Sequence, residues 1–486
     1  MQIINRLITH LSTAYLGGLP NDQISTILLF LLSYPLGHLF TKLPKSDTNL
    51  RHIYSICISL FMLIVVQELY TGALHLFISA SITYIMLLTL KGSKLTSAVF
   101  IYSMLHLSYS QYLRQMSESD NVNYDHTGPQ MIMVIKMTSL AFCLYDGQKD
   151  IKTLSTYQRK HAIKTVPNFL EYLGYMFFFP SLLAGPAFEI STYRQMISMD
   201  HTKIKPETTK GYFRLLIALA CGAFYFRFSG TYTYSYMLTE SFKSHNHFYK
   251  IYYLIASGFV YRSMYYIAWK MSEGACMVTG LGFSGFNKEG KYTFHSISNV
   301  EIIKVEFATY HRQVMSCWNI GTNNWLRQYV YLRVMPESKT SSSTATLITF
   351  IVSAWWHGFY PGYYLAFITA TFISNTSRIL FRALHPFYEQ PKFMGAGHKL
   401  FQIGYTVIGM FLTSLCLAFE LVPFVVLKIS TTFQIWSIFY YNVIIGIISV
   451  MLYFDVLGGK STFRHLHKKL NLVNENKKQT GSIKSE

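Results

Sequence analysis

The chain has 486 residues, of which 51% are hydrophobic and only 13% charged, and its mean hydropathy is +0.25. Soluble domains hold about 25% charged residues, so this composition excludes a soluble multidomain protein, an intrinsically disordered chain, a collagen-like fibre and a disulfide-stapled secreted module. Lys and Arg number 42 against 23 Asp and Glu, a formal net charge of +19. These bases sit mostly in loops between apolar runs. That is the positive-inside pattern of a polytopic membrane protein, not the basic face of a nucleic-acid-binding protein. A phosphate-rich substrate would draw on the same charge.

In chain order, residues 1–19 read as a helix in the membrane interface or as a frayed terminus. Ile24–Phe40, with Pro35 inside it, is the first candidate span, followed by Ile53–Tyr70, Leu74–Leu90 and Ala98–Tyr112. Met131–Tyr145 is apolar apart from Lys136. A basic segment from Asp146 to Lys164 faces the cytoplasm by charge. Phe169–Leu183, Phe213–Phe228 and Tyr249–Trp269 are further spans, and Gly280 to Gly290 reads as irregular. Val300 to Arg333 is amphipathic and basic, which fits helices lying in the interface better than a crossing. Leu347–His357 and Phe359–Leu380 form an interrupted apolar pair, and Tyr405–Leu427 and Trp436–Tyr453 close the membrane part. The sum is an all-α polytopic protein with roughly eleven crossings of about 20 residues each. It is organised as one membrane domain over 1–457 and a basic, flexible cytosolic tail over 458–486.

Two stretches carry chemistry. Ser353 to Tyr364 places His357 at the end of an apolar run, directly before Gly358, Pro361 and Gly362. Ionisable groups at membrane depth are costly and face a cavity or a partner. Gly and Pro let irregular backbone line such a cavity, and Trp355, Trp356, Tyr363 and Tyr364 can wall it. A packed, hydrogen-bonded core histidine is the alternative. Upstream, Cys317-Trp318-Asn319 leads through Thr322 to Trp325-Leu326-Arg327. The Asn319 carboxamide can orient an imidazole or donate to an oxyanion, or it can simply cap a helix. Arg312, Arg327, Arg333 and Lys339 can bind phosphates or snorkel at the interface. Six cysteines lacking any C-x-x-C pair suggest neither a zinc site nor a disulfide framework.

Three stretches resemble the membrane-bound O-acyltransferase (MBOAT) family. Trp356-His357-Gly-Phe-Tyr-Pro-Gly-Tyr363-Tyr364 resembles its histidine motif. Trp318-Asn319 with Thr322 and Trp325-Leu326 resembles the asparagine motif of its lysophospholipid branch. Asp125-His-Thr-Gly-Pro-Gln130-Met131, with Lys136 to Ser139 and Asp146-Gly147, resembles a further signature of that branch. Gly174 to Ile190 is most similar to the fungal, broad-specificity members of the endoplasmic reticulum. The resemblance implies a helical MBOAT bundle in that membrane, and direct transfer of an acyl group from acyl-CoA to a lysophospholipid hydroxyl. It implies His357 and Asn319 as catalytic residues. Trp318, Thr322, Trp325, Trp356, Tyr363 and Tyr364 are then substrate-lining, and Arg312, Arg327 and Arg333 receive the CoA head. Acyl-CoA is a cosubstrate; no metal, tightly bound cofactor or nucleic-acid partner is implied. Alternatives are an acyltransferase acting on a sterol, diacylglycerol or protein, and a transporter that uses His357 as a proton relay and Lys136 as a gating charge.

Overall fold

The protein is described by a computed structural model covering residue 6 and residues 8–10, 12–13, 20–117, 125–294, 297–335, 343–389 and 397–469. Most of residues 1–19, Lys339 with most of the polar insert at 337–346, and the end of the tail lie outside the described residues. The helices in chain order are α1 Asn21–Thr41, α2 Thr48–Leu60, α3 Tyr70–Thr89, α4 Gly92–Ser117, α5 Thr127–Gly147, α6 Thr156–His161, α7 Phe169–Met176, α8 Ile190–Ile197, α9 Thr208–Phe228, α10 Glu240–Lys243 and α11 His247–Val278. A hairpin of β1 Phe283–Phe286 and antiparallel β2 Tyr292–Phe294 follows. Then come α12 Ile302–Glu306, α13 His311–Cys317, α14 Ile320–Leu326, α15 Leu332–Val334, α16 Ser343–His357, α17 Pro361–Glu389, α18 His398–Val426, α19 Ile429–Ile438 and α20 Asn442–Asp455.

Among the described residues, six helical segments are long and apolar enough to cross a membrane: α1, α2 with its π-helical extension to Val66, α3, α5, α9 and α18. The α19–α20 pair adds a seventh only if two helices bent by 81° count as one crossing. Helices α4, α11 and α17 are long as well, but polar residues interrupt their apolar runs; α11 alone carries Lys250, Arg262, Lys270 and Glu273. Val300 to Arg333 folds into α12, α13 and α14, the last continuing through a π-helical Arg327–Tyr331 into α15; none of these is long enough to span. The expected all-α fold and the expected flexible tail both need correction. The glycine-rich segment after Gly280 is the hairpin, so the fold is not purely α. Residues 459–469, expected in a flexible tail, are helical; Phe463 packs on Phe454 and Phe387, and His467 Nε2 donates to the Ala383 carbonyl at 3.0 Å.

Phe169–Leu183 also departs from its expected role as a span. Helix α7 starts on the Asn168 cap, whose side chain accepts from the Glu171 N–H, and it stops at Met176. Pro180 then sits in a 3-10 turn, Phe179–Ser181. Tyr172 to Leu182 are buried inside the protein, so the apolar run is a core segment. Hydropathy cannot separate the two, because both are shielded from water. The broken backbone is satisfied by side chains: Ser55 and Ser59 donate to the Phe177 carbonyl, Ser272 donates to Pro180, and Lys136 donates to Tyr175 at 3.0 Å.

The chain divides into two compact units. The first comprises 1–226, 263–300 and 319–359, with a core running from Leu29 through α3, α4, α5 and α7 to Trp356. The second comprises 227–262, 301–318 and 360–486. Its core stacks Phe419 on Trp436, with ring centroids 4.5 Å apart, among Tyr253, Leu254, Ile373 and Val443.

Within the first unit α9 and α11 meet at Gly211 and Gly274. A Cβ on Gly274 would collide with the Gly211 carbonyl and with the Tyr34 hydroxyl, which itself donates to Met271 at 3.0 Å. Overpacking of this kind costs roughly 1–3 kcal/mol. Gly274→Ala is therefore expected to lower the thermal unfolding midpoint in detergent, whereas Gly404→Ala, whose Cβ meets nothing within 4 Å, leaves it near wild type.

Candidate active site

His357 is the last residue of α16 and is half-buried. The helix ends there because Gly358 takes a positive φ of 128°, a conformation that glycine adopts without steric cost. The turn preceding His357 is pinned on three sides. Trp355 Nε1 donates to Ser108 Oγ at 2.6 Å, Trp356 Nε1 to the Met131 carbonyl at 3.1 Å, and Gln111 Nε2 to the Trp356 carbonyl at 2.8 Å. The imidazole stands edge-on to the Trp356 indole at 4.7 Å between centroids.

Asn319 occupies the N-cap position of α14, with φ 44° and ψ 52°. Asn enters this left-handed region more readily than other non-glycine residues. Its side chain makes no capping bond, so the carboxamide is not spent on closing the helix. The first turn is held instead by the Asn299 carbonyl, which accepts the Ile320 N–H at 2.8 Å. Residues 298–300 are in turn anchored by Glu273. Its Oε1 accepts the Asn299 N–H at 2.6 Å and the Val300 N–H at 3.2 Å, and its Oε2 pairs with Lys270 Nζ at 2.6 Å. Both charged side chains are 1% exposed.

The two motifs meet on α5. Trp325, in the asparagine motif, donates from Nε1 to Thr138 Oγ1 at 2.9 Å, and its ring lies 6.1 Å from the Trp356 ring. The third stretch of the resemblance is therefore the platform for the other two. Asp125 Oδ1 accepts the Thr127 N–H at the start of α5. Met131 takes Trp356, Lys136 holds the broken segment after α7, and Thr138 takes Trp325. Asp146 closes the helix by pairing with Arg333.

The remaining expected residues divide by position. Thr322 and Trp325 are buried beside Asn319 in the first unit, and Arg327 is exposed there. Arg333 belongs to the same unit, but its guanidinium is gripped by both Asp146 oxygens and lies 4.7 Å over the Phe142 ring. Its charge is already engaged within the protein. Arg312, which is exposed, and Trp318, Tyr363 and Tyr364 belong to the second unit. Lys136 is fully buried, donating also to Ser181 Oγ at 3.1 Å.

Sequence reasoning missed a polar cavity of about 180 Å³ lined by Glu189, Tyr157, Ser139, Asn299, Asn324 and Trp325, among others. Tyr157 donates its hydroxyl to Glu189 at 2.8 Å. Burial pushes the Glu189 carboxyl up, against the pull of the hydroxyls of Tyr157 and Tyr329. Asn299 Oδ1 and both amide atoms of Gln130 are buried without a hydrogen-bond partner. One signal was available: a lone acidic residue in the apolar stretch before Ile190. Gln130 stood within the Asp125–Met131 stretch of the resemblance, but its unpaired amide, like the unpaired oxygen of Asn299, appears only after packing.

A family model described as MBOAT, membrane-bound O-acyltransferase family, matches residues 111–422. The chain belongs to this family, and it is an O-acyltransferase of a multi-pass membrane type. It is 35% identical over 453 residues to the "Lysophospholipid acyltransferase" of Schizosaccharomyces pombe, covering 91% of this chain and 88% of that protein. The Saccharomyces cerevisiae protein of the same name is 28% identical over 93% of this chain and 76% of its own length. The human "Membrane-bound glycerophospholipid O-acyltransferase 2" is 28% identical over 89% and 85%.

Removing one partner of a buried ion pair costs about 3–5 kcal/mol. Glu273→Ala is therefore expected to lower the thermal midpoint sharply and to reduce acyl transfer, since the support behind Ile320 is lost. Lys304→Ala, which breaks an exposed pair with Glu301, leaves both measurements unchanged.

Proposed function

We propose that the protein transfers an acyl group from acyl-CoA to the free hydroxyl of a lysophospholipid. The names and lengths of the relatives support the substrate class. The site reading rests on one observation: Trp325 and Trp356 meet on α5, so the asparagine and histidine motifs share one rigid support. An alcohol is a weak nucleophile near neutral pH and needs a base within hydrogen-bond reach. His357 takes the hydroxyl proton as the oxygen attacks the thioester carbon. The oxyanion formed is stabilised by the Asn319 carboxamide, or Asn319 positions the base. Collapse breaks the C–S bond, and the proton passes to the departing CoA sulfur. No acyl-enzyme is needed, and Cys317 is a packing residue.

The exposed Arg327 and Arg312 are the cations proposed for the CoA phosphates, with Trp318, Thr322, Trp356, Tyr363 and Tyr364 along the substrate path. Arg333 supports this region through its pair with Asp146. In this reading the membrane domain, 1–457, makes fewer than the roughly eleven expected crossings of the endoplasmic reticulum membrane, since Phe169–Leu183 is a core segment; the tail is cytosolic, and no bound cofactor or metal takes part.

Purified protein given labelled oleoyl-CoA and a panel of lysophosphatidyl-choline, -ethanolamine, -serine, -inositol and lysophosphatidic acid is expected to form diacyl phospholipid. His357→Ala abolishes this. Asn319→Ala lowers the rate by about 10²–10³, the usual cost of an oxyanion donor. Cys317→Ala keeps most of it; a folded but inactive Cys317→Ala protein would overturn direct transfer.

A further inference from the structure

A second cavity lies wholly within the second unit, between α17, α18 and α20, with a volume of about 510 Å³. This falls in the range of about 300–1,000 Å³ typical of sites for small organic ligands. None of the proposed catalytic residues lines it. Its wall is almost entirely apolar: Leu380, Phe381 and Leu384 come from α17, Phe401, Tyr405 and Leu412 from α18, and Val443, Ile447 and Val450 from α20. Two of these helices, α18 and α20, expose Ile403, Val407, Phe411, Ile445 and Ile448. Helices that present such residues outward stand in hydrocarbon, so an occupant comes from the bilayer.

The polar groups of the cavity decide what that occupant is. His311 is saturated: Nε2 faces both Glu420 oxygens at 3.1 Å and Nδ1 meets Ser374 Oγ at 2.8 Å. Two lining groups are not satisfied. Among the described residues, Thr376 Oγ1, on a residue 7% exposed, and Asn442 Oδ1 have no hydrogen-bond partner. A helical Thr ordinarily bonds the carbonyl one turn back, and Thr369 and Thr371 in the same helix do so at 2.8 Å. Leaving a buried hydroxyl unpaired is costly. Ile373, one turn before Thr376, shares a core cluster with Val443, next to Asn442, and further along the same two helices Phe387 and Phe454 both pack on Phe463. Helices α17 and α20 therefore run side by side, with Thr376 and Asn442 towards one end of the cavity and Leu384 and Val450, about two turns on, towards the other.

Among the described residues no Lys, Arg, Asp or Glu lines the cavity, which leaves a phosphate or carboxylate head without a counter-charge there. A glyceride brings two ester carbonyls, more acceptors than the polar end can serve. A single hydroxyl on a rigid apolar body fits. The wall is also smooth: a Cβ at Gly404 or Gly446 would meet nothing within 4 Å, and the rings of Phe381, Phe401 and Tyr405 offer flat faces. We propose that this cavity binds a sterol drawn from the surrounding bilayer, with its hydroxyl held by Thr376 and Asn442.

The test uses the full-length protein in liposomes with a photoreactive, clickable cholesterol analogue, and maps the labelled peptides. Labelling is expected on α17, α18 and α20, competed by excess cholesterol and not by phosphatidylcholine. Gly446→Leu, which fills the cavity, removes it. Thr376→Val weakens it about three- to ten-fold, the worth of one hydrogen bond. Both variants keep wild-type thermal midpoints and wild-type acyl transfer in sterol-free liposomes, so this outcome is independent of the substrate reading. Labelling that survives Gly446→Leu, or that diacylglycerol competes as well as cholesterol does, overturns the proposal.

Discussion

Backbone that leaves the helix inside an apolar bundle must find its hydrogen bonds within the protein, because neither lipid nor water can supply them. The first unit is organised around that demand. After α7 the chain breaks its helix at Phe177, and four side chains, Ser55, Ser59, Lys136 and Ser272, take up the freed carbonyls. At 298–300 the chain is again irregular, and Glu273 collects two N–H groups while Lys270 takes the Val300 carbonyl at 2.5 Å. The ion pair is thus a backbone clamp as much as a charge pair. Its consequence is chemical: the Asn299 carbonyl that it fixes accepts the Ile320 N–H, and Asn319 is left with an uncommitted carboxamide.

Helix α5 has the complementary role. It offers a carbonyl at Met131 and a hydroxyl at Thr138, and each receives an indole N–H from a different motif. Indoles are large, rigid side chains with a single donor, so one hydrogen bond fixes both position and tilt. A general base and an oxyanion donor need this kind of support, since misplacement by about 1 Å can cost 10²-fold in rate. Arg333 shows the same economy. Its fork matches the two Asp146 oxygens, and its plane covers Phe142.

The second unit solves its packing with aromatic stacks and keeps a large apolar void. Tight interiors leave few voids larger than water, so a cavity of this size beside two unpaired polar atoms is the ground for the proposed sterol site. The buried His311–Glu420 pair stays satisfied beside it and contributes rigidity.

Much was legible in the residues. The apolar runs of α1, α2, α3, α5, α9 and α18 announced themselves, because twenty apolar residues have few alternatives. The His357 and Asn319 stretches stood out by their clustered Trp, Gly and Pro. Other features were invisible. Phe169–Leu183 reads as a span because hydropathy measures avoidance of water and not the neighbour that provides it. The hairpin after Gly280 forms from a four- and a three-residue strand, too short for a periodic signal. Whether Arg333 is free for a phosphate depended on Asp146, 187 residues away in sequence. The sequence by itself determined a helical membrane acyltransferase, since composition and local motifs are properties of consecutive residues. Only the tertiary structure decided which polar side chains are consumed by backbone and which stay available, because hydrogen bonds between distant segments exist only once those segments are packed.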